Sequence, residues 1–199
     1  MSGFNYANLV TDIRNYTEVG DSVLTAAIIN RFIEDAEFRI FYDVPIDAYR
    51  FVSEGQLVAD DNNINVPGKG TKGATGAVFV RGIEVFNSTS ATTGQGVWLE
   101  KKDQTYLSEY VGRLTGTEGD LTNQDTTGLP KYYAMFGGAT GTTGTTSGGM
   151  YVAPTPDQNY KFRIYYTMMP KSLVTETSGT YISQYFPSGL LYACLVEAY

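Results

Sequence analysis

The chain has 199 residues, with 14 Lys plus Arg against 21 Asp plus Glu and a formal net charge of −7. It contains no histidine and one cysteine, Cys194, so a Ser-His-Asp or Cys-His apparatus, a His-ligated metal, a CxxC redox pair and an intrachain disulfide framework are excluded. With 42% hydrophobic residues, 16 Tyr and 10 Phe, it has the material for a core and is too aromatic for a disordered chain, and its length suits one domain or one with an appendage.

From the N-terminus, Phe4, Ala7, Val10, Ile13 and Tyr16 recur near helical spacing and predict a short first helix over residues 4–18. Gly20 and Asp21 interrupt it, and Asp21 or Ser22 is placed to cap a second helix. In that second helix Ile29, Phe32, Ile33, Ala36 and Ile40 form one continuous stripe. Arg31 with Asp35, and Asp35 with Arg39, are charge pairs at helical spacing on its solvated side. Pro45 ends it at or before Val44.

From Tyr49 the texture changes to short β-branched and aromatic segments, 49–59, 63–66, 77–87 and 96–101. Asp60-Asp61-Asn62-Asn63 reads as a hairpin turn whose second arm is Ile64-Asn65-Val66. Asp103 can cap a short helix running to Val111, with Tyr106, Leu107 and Tyr110 on one side. Residues 131–136, 150–152 and 160–168 predict further strands, the last with Phe162, Ile164 and Tyr166 alternating against Lys161, Arg163 and Tyr165. The Gly/Thr-rich stretch 137–149 has nothing to bury and predicts a mobile loop or hairpin tip. Pro187 suits the first turn of a last helix, 187–199.

The sum is an α+β chain. Helices from both ends, residues 1–48 and 178–199, pack as a bundle. The β-rich middle, 49–177, is antiparallel and hairpin-built with a short helix near 103–111, in one continuous structural unit. On the last helix Leu190, Leu191, Cys194, Leu195 and Ala198 share one face while Tyr192, Val196 and Tyr199 cover the other. A helix apolar nearly all round predicts burial on several sides. No Gly, Asn or basic last turn ends it at Tyr199, which predicts that the native chain continues.

Several motifs dissolve on inspection. Gly68-Lys69-Gly70-Thr71-Lys72-Gly73 matches G-x-G-x-x-G, but a pyrophosphate cradle needs a helix N-terminus next, and Ala77-Val78-Phe79-Val80 is strand-like. Read as a P-loop, the positions after Gly73 are Ala74 and Thr75, so the phosphate-binding Lys is missing. Asp61-Asn62-Asn63-Ile64-Asn65 starts like a calcium loop, yet Val66 stands where Gly is needed and Lys72 where the bidentate Glu belongs, leaving a looser site at Asp60 and Asp61 as the open alternative. No carboxylate pair is marked for glycosidase work. Asn15-Tyr16-Thr17 and Asn87-Ser88-Thr89 read as ordinary polar segments. Trp98, between Val97 and Leu99, reads as core, and the tyrosines read as core plus protein interface. No catalytic, cofactor or metal residues are nominated. No stretch approaches the roughly 18 apolar residues of a membrane helix, and the start, Met1-Ser2-Gly3-Phe4, lacks the pattern of a signal peptide, which predicts assembly in a cytoplasm. The acidic balance argues against gripping nucleic acid.

Local patterns in order carry a resemblance. Arg31-Phe32-Ile33-Glu34-Asp35-Ala36-Glu37-Phe38-Arg39-Ile40, then Leu99-Glu100-Lys101 with Tyr106-Leu107, then Gly128-Leu129-Pro130-Lys131-Tyr132-Tyr133-Ala134, resemble a family of bacteriophage head-to-tail adaptor proteins. Tyr165-Tyr166-Thr167 with Pro170 and Leu173, and the run from Pro187 to Tyr199, are similar to that family's end. The resemblance implies a structural virion protein and no enzyme: a ring of copies, dodecameric, between the capsid portal and the tail. It implies contacts with the portal and with tail or nozzle proteins, and DNA passing through without specific binding. It implies no cofactor and no membrane, with residence in the virion neck after assembly in the host cytoplasm. The residues expected at the subunit or partner interface are Leu190, Leu191, Leu195, Val196 and Tyr199 on the last helix and Ile29, Phe32 and Ile33 on the second. The rival expectations are a β-rich receptor- or carbohydrate-binding tail module working through exposed aromatics and an acid-dependent lysis or depolymerising enzyme working through one or two carboxylates.

Overall fold

A computed structural model describes residues 3–66, 77–89, 94–110, 127–135 and 149–199. In chain order its elements are α1 (Tyr6–Thr17), α2 (Ala26–Asp43), a 3-10 turn (Asp47–Tyr49), β1 (Arg50–Leu57), β2 (Asn63–Asn65), β3 (Ala77–Phe86), β4 (Gly96–Trp98), β5 (Glu100–Lys101) and α3 (Gln104–Tyr110). Then come β6 (Tyr132–Met135), β7 (Gly149–Ala153), β8 (Tyr160–Met168), α4 (Tyr181–Tyr185) and α5 (Pro187–Ala198). The chain is α+β as its patterning predicts, with helices at both ends and strands between. It divides into two compact units, Met1–Tyr49 with Met169–Tyr199, and Arg50–Met168.

The first unit is helical and organised on α5, which packs against α1, α2 and α4. Each helix has a local reason to start and stop. Asn5 caps α1 by accepting from the Asn8 N–H at 2.8 Å. Thr180 and Ser183 form a reciprocal capping box that begins α4. Pro187 opens α5, where a missing N–H costs nothing. α2 ends at Asp43, before Pro45, as its sequence predicts. It starts at Thr25 rather than at Asp21 or Ser22, which lie in a separate turn. The buried face of α1 is Leu9 with Ile13, while Ala7 and Tyr16 are exposed, so the predicted stripe is rotated about the helix. α2 buries Ile29, Ile33, Ala36, Glu37 and Phe41. Arg39 pairs with Glu197 on α5, at 2.8 Å, rather than with Asp35.

The second unit holds two four-stranded sheets, ordered β1-β8-β3-β4 and β2-β7-β6-β5. Among the described strands every pairing is antiparallel except β5 with β6. Both sheets feed one core: Leu57, Ile83 and Ile164 from the first meet Ile64, Met150 and Val152 from the second. The alternation predicted for β8 is observed, with Tyr160, Phe162, Ile164 and Tyr166 all buried. Each such side chain contributes about 1.5–3 kcal/mol by leaving water. The Phe162 ring lies over Gly55 of β1, in the space a Cβ would fill. α3 packs on β6 through Leu107 and Ala134, with Ala153 of β7 in the same cluster, and Asp103 caps it by accepting from the Thr105 N–H at 3.0 Å.

The predicted hairpin at Asp60–Asn63 is not one. β1 pairs with β8 and β2 pairs with β7, so this turn carries the chain from one sheet to the other. Asp60 takes φ 63 there, and the Asp61 carboxylate accepts from the Asn63 N–H at 3.0 Å. The Gly/Lys motif at 68–73 and the Gly/Thr stretch up to residue 148 lie outside the described residues. Gly149 opens β7, and the segment after the Gly/Lys motif is the strand β3, not a helix.

Candidate protein–protein interface

α5 is apolar around most of its circumference, Glu197 aside, and the fold covers one side of it. Leu190, Leu191, Cys194 and Leu195 are buried. Tyr192 is 60% exposed, Val196 64% and Tyr199 89%. The Tyr199 hydroxyl donates to the Tyr16 carbonyl of α1 at 3.4 Å, which sets a second exposed aromatic beside this face. The residues expected at an interface therefore fall into two groups. Ile29, Ile33, Leu190, Leu191 and Leu195 belong to the interior of the helical unit, with Phe32 half-buried at its margin. Val196 and Tyr199 lie on the open face, and Tyr192, not nominated from sequence, joins them. Periodicity sets it on that face, because Tyr192 sits one helical turn before Val196.

Beneath α5 sits one buried acid. Both Glu37 carboxylate oxygens accept from the Leu173 N–H at 3.1 Å, and Oε1 accepts from the Thr180 hydroxyl at 3.4 Å. This ties α2 to the segment leading into α4. Burial raises the Glu37 pKa above its ordinary value, against the lowering effect of hydrogen bonds from Ser172, Leu173 and Thr180. Burial, then the nearby Glu37 and Glu197 charges, push the Cys194 thiol up to about 12. Neither group is available to solvent for chemistry: Glu37 is 5% exposed and Cys194 0%.

A second apolar surface on the same unit is aromatic. Phe38 and Tyr42 of α2 are exposed with ring centroids 4.5 Å apart. The buried rings of Phe41 and Tyr49 link them to Tyr181, and the Tyr181 ring lies tilted against that of the exposed Tyr185 with centroids 4.7 Å apart. Exposed aromatic rings held in place by a buried aromatic chain are apolar surface of the kind found at interaction sites.

The β unit carries its own exposed aromatic. Trp98 is 58% exposed, which corrects its assignment to the core. It lies on the outer face of its sheet against Tyr165, with ring centroids 4.8 Å apart. Gly82 leaves room for it, since a Cβ there would stand 2.9 Å from Trp98 Cζ3. The Tyr165 hydroxyl donates to Glu84 Oε2 at 3.0 Å, and Arg163 Nε donates to Glu54 Oε1 at 2.7 Å. The rest of this face is thus a cross-strand ladder of polar and charged groups.

Among the described residues no group of three or more acidic or cysteine ligands comes together, and Asp60 and Asp61 belong to the turn between sheets. No described helix is long and apolar enough to cross a membrane. What the described residues present is exposed aromatic and apolar surface on both units. In comparison with known proteins, no curated protein matches the chain. The family model described as SU10 adaptor protein matches residues 4–199, and the chain belongs to that adaptor family of phage structural proteins.

Proposed function

We propose that this chain is the head-to-tail adaptor of its virion: copies form a ring, dodecameric by family resemblance, below the portal in the neck. The ring extends the DNA channel and docks tail or nozzle proteins. The observation that supports this best is the outer face of α5, where Tyr192, Val196 and Tyr199 stay uncovered although the helix is apolar nearly all round. A neighbouring copy or the portal completes the burial that the isolated chain leaves unfinished. Ile29, Ile33, Leu190 and Leu191 serve that contact indirectly, by holding α5 in place from within the subunit. A net charge of −7 suits a conduit, because few phosphate contacts form against an acidic wall and DNA is not held. Assembly takes place in the host cytoplasm, and the role is structural, with no chemistry at any residue.

A second reading is favoured by the exposed Trp98 beside Tyr165, which is the kind of aromatic surface that stacks a sugar. On that reading the chain is a receptor- or carbohydrate-binding tail module. A cryo-electron microscopy map of the particle separates the two. Ring density between portal and tail is the expected result. Density at fibre tips favours the tail module, and absence from the particle overturns both.

A further inference from the structure

The charge of the chain is not shared evenly between its two units. The helical unit, Met1–Tyr49 with Met169–Tyr199, holds four bases, Arg14, Arg31, Arg39 and Lys171, against ten acids, a formal −6 of the chain's −7. Two of those bases are engaged, Arg39 with Glu197 at 2.8 Å and Lys171 with Glu176 at 2.6 Å. On α2 the excess of acid meets an exposed ring. Ile29, Ile33, Ala36, Glu37 and Phe41 form the buried face of this helix. Glu34, Asp35 and Phe38 point away from it and are all exposed, Phe38 by 48%. The two acids stand four and three residues before Phe38, so their carboxylates flank its ring at a spacing of about 6 Å. The Tyr42 ring packs against Phe38 from the following turn, with centroids 4.5 Å apart, and holds it in place. Among the described residues neither Glu34 nor Asp35 makes an ion pair or a side-chain hydrogen bond. Arg31 lies one turn before them, and a base on the N-terminal side of an acid is the poorer orientation on a helix.

We propose that this face of α2 is a docking site for an arginine carried by a segment of a different virion protein. The inference rests on the reading of the chain as a docking adaptor and names the chemistry of what docks. A guanidinium is planar, so it lies on the face of Phe38 while its N–H fork donates to Glu34 or Asp35. A lysine ammonium is a compact charge without that plane, and it serves the ring and the carboxylates less well together. An apolar segment would leave both carboxylates without a counter-charge, and nucleic acid carries their own sign. A second copy of this chain is the poorer occupant. Its described Arg14, Arg39, Arg50, Arg81 and Arg163 all have partners within their own chain. Arg31 shares the face with Phe38, and a cyclic ring of copies joins unlike faces, so a ring neighbour does not bring its Arg31 here.

The test places a benzophenone-bearing residue at position 38 and irradiates the assembled particle. The expected product joins α2 to a different virion protein, with an arginine within about four residues of the attached position. Glu34→Gln with Asp35→Asn, both at exposed positions, should leave the urea midpoint of the purified chain unchanged. The same pair should lower the amount of the docked protein in the particle by about tenfold or more. Replacing the partner's arginine by Glu should have the same effect, and combining that change with Glu34→Lys and Asp35→Lys should restore docking. Attachment to another copy of this chain, attachment to a segment without arginine, or no cross-link overturns the proposal. Full docking with Glu34→Gln and Asp35→Asn overturns it too. Should the neutralised chain fail to fold, the cross-link decides alone. If the map finds the chain outside the neck, the adaptor reading fails separately, and the cross-linked peptide still decides whether α2 holds an arginine.

Discussion

Replacing Leu190 by Ala and Val196 by Lys probes the two sides of one helix. Leu190 is 0% exposed on the inner face of α5, and Val196 is 64% exposed on the outer one. Full burial of a leucine contributes about 1.5–3 kcal/mol. Truncation to Ala also leaves a cavity that neighbours fill only in part, which brings the expected cost of Leu190→Ala to about 3 kcal/mol. Against a total stability of about 5–15 kcal/mol this is a large share. With a urea dependence of about 1–3 kcal/mol per molar, the midpoint should fall by roughly 1–3 M. Val196→Lys removes no buried contact and adds a cation in the last helical turn, where the helix dipole favours it, so its effect should stay within about 0.5 kcal/mol. The assay is urea unfolding followed by far-UV circular dichroism, since the helical unit supplies most of that signal. A Leu190→Ala cost below about 1 kcal/mol, or a Val196→Lys cost equal to it, would refute the placement of α5. The same logic bears on assembly. Leu191→Asp or Leu195→Asp buries a charge and unfolds the unit, so a failure of those variants to form the proposed ring carries no information about contact between subunits.

Glu37 makes the helical unit pH-sensitive. Its pKa is raised above 4.5 by burial, so the stabilisation from its protonation is complete below that value and fades as pH rises through the folded-state pKa. The unit should resist urea better at mildly acidic pH than at neutrality, and Glu37→Gln should remove that component; an identical slope in the variant contradicts the assignment. Cys194, buried with its thiol pushed up to about 12, should ignore an aromatic disulfide reagent at mildly alkaline pH until denaturant is added. Stoichiometric labelling of the native chain within minutes would count against its burial. Gly82→Ala should push Trp98 off Tyr165, shifting the emission of the only tryptophan and costing about 0.5–1.5 kcal/mol. An unaltered spectrum would show that the indole does not lie over Gly82.

Features that repeat with a period were legible in the sequence. The stripe Ile29, Ile33 and Ala36 and the alternation Phe162, Ile164 and Tyr166 both reappear as buried faces. Pro45 and Pro187 mark helix boundaries because their ring chemistry acts locally. Strand partners were not legible. Glu54 meets Arg163 across a sequence separation of 109, and nothing in Asp60–Asn63 says that the next strand joins another sheet. α4 was missed because five residues carry no period and its capping box uses Ser183 where Glu or Gln would signal one. Trp98 was misread because its apolar neighbours suggested a core, whereas Gly82 across the sheet opens an outer shelf for it. Of the candidate interface, Val196 and Tyr199 could be named from α5 alone. The aromatic ridge could not, because Tyr42 and Tyr181 are far apart in sequence and become linked through rings that packing brings together.

The helical unit takes its segments from both sides of the β unit in the chain. α1 and α2 leave the ribosome early, but α5, on which they pack, is made only after the whole of Arg50–Met168. At about 5–20 residues per second that interval is on the order of ten seconds. During it the apolar faces of Leu9, Ile13, Ile29 and Ile33 have no α5 to cover them, while the β unit, whose segments are contiguous, is free to fold. A nascent chain held before α5 should present a finished sandwich and unfinished helices. The open face of α5 is created only once that wait is over, so Tyr192, Val196 and Tyr199 come together as a surface late in synthesis, after each β unit has had time to form.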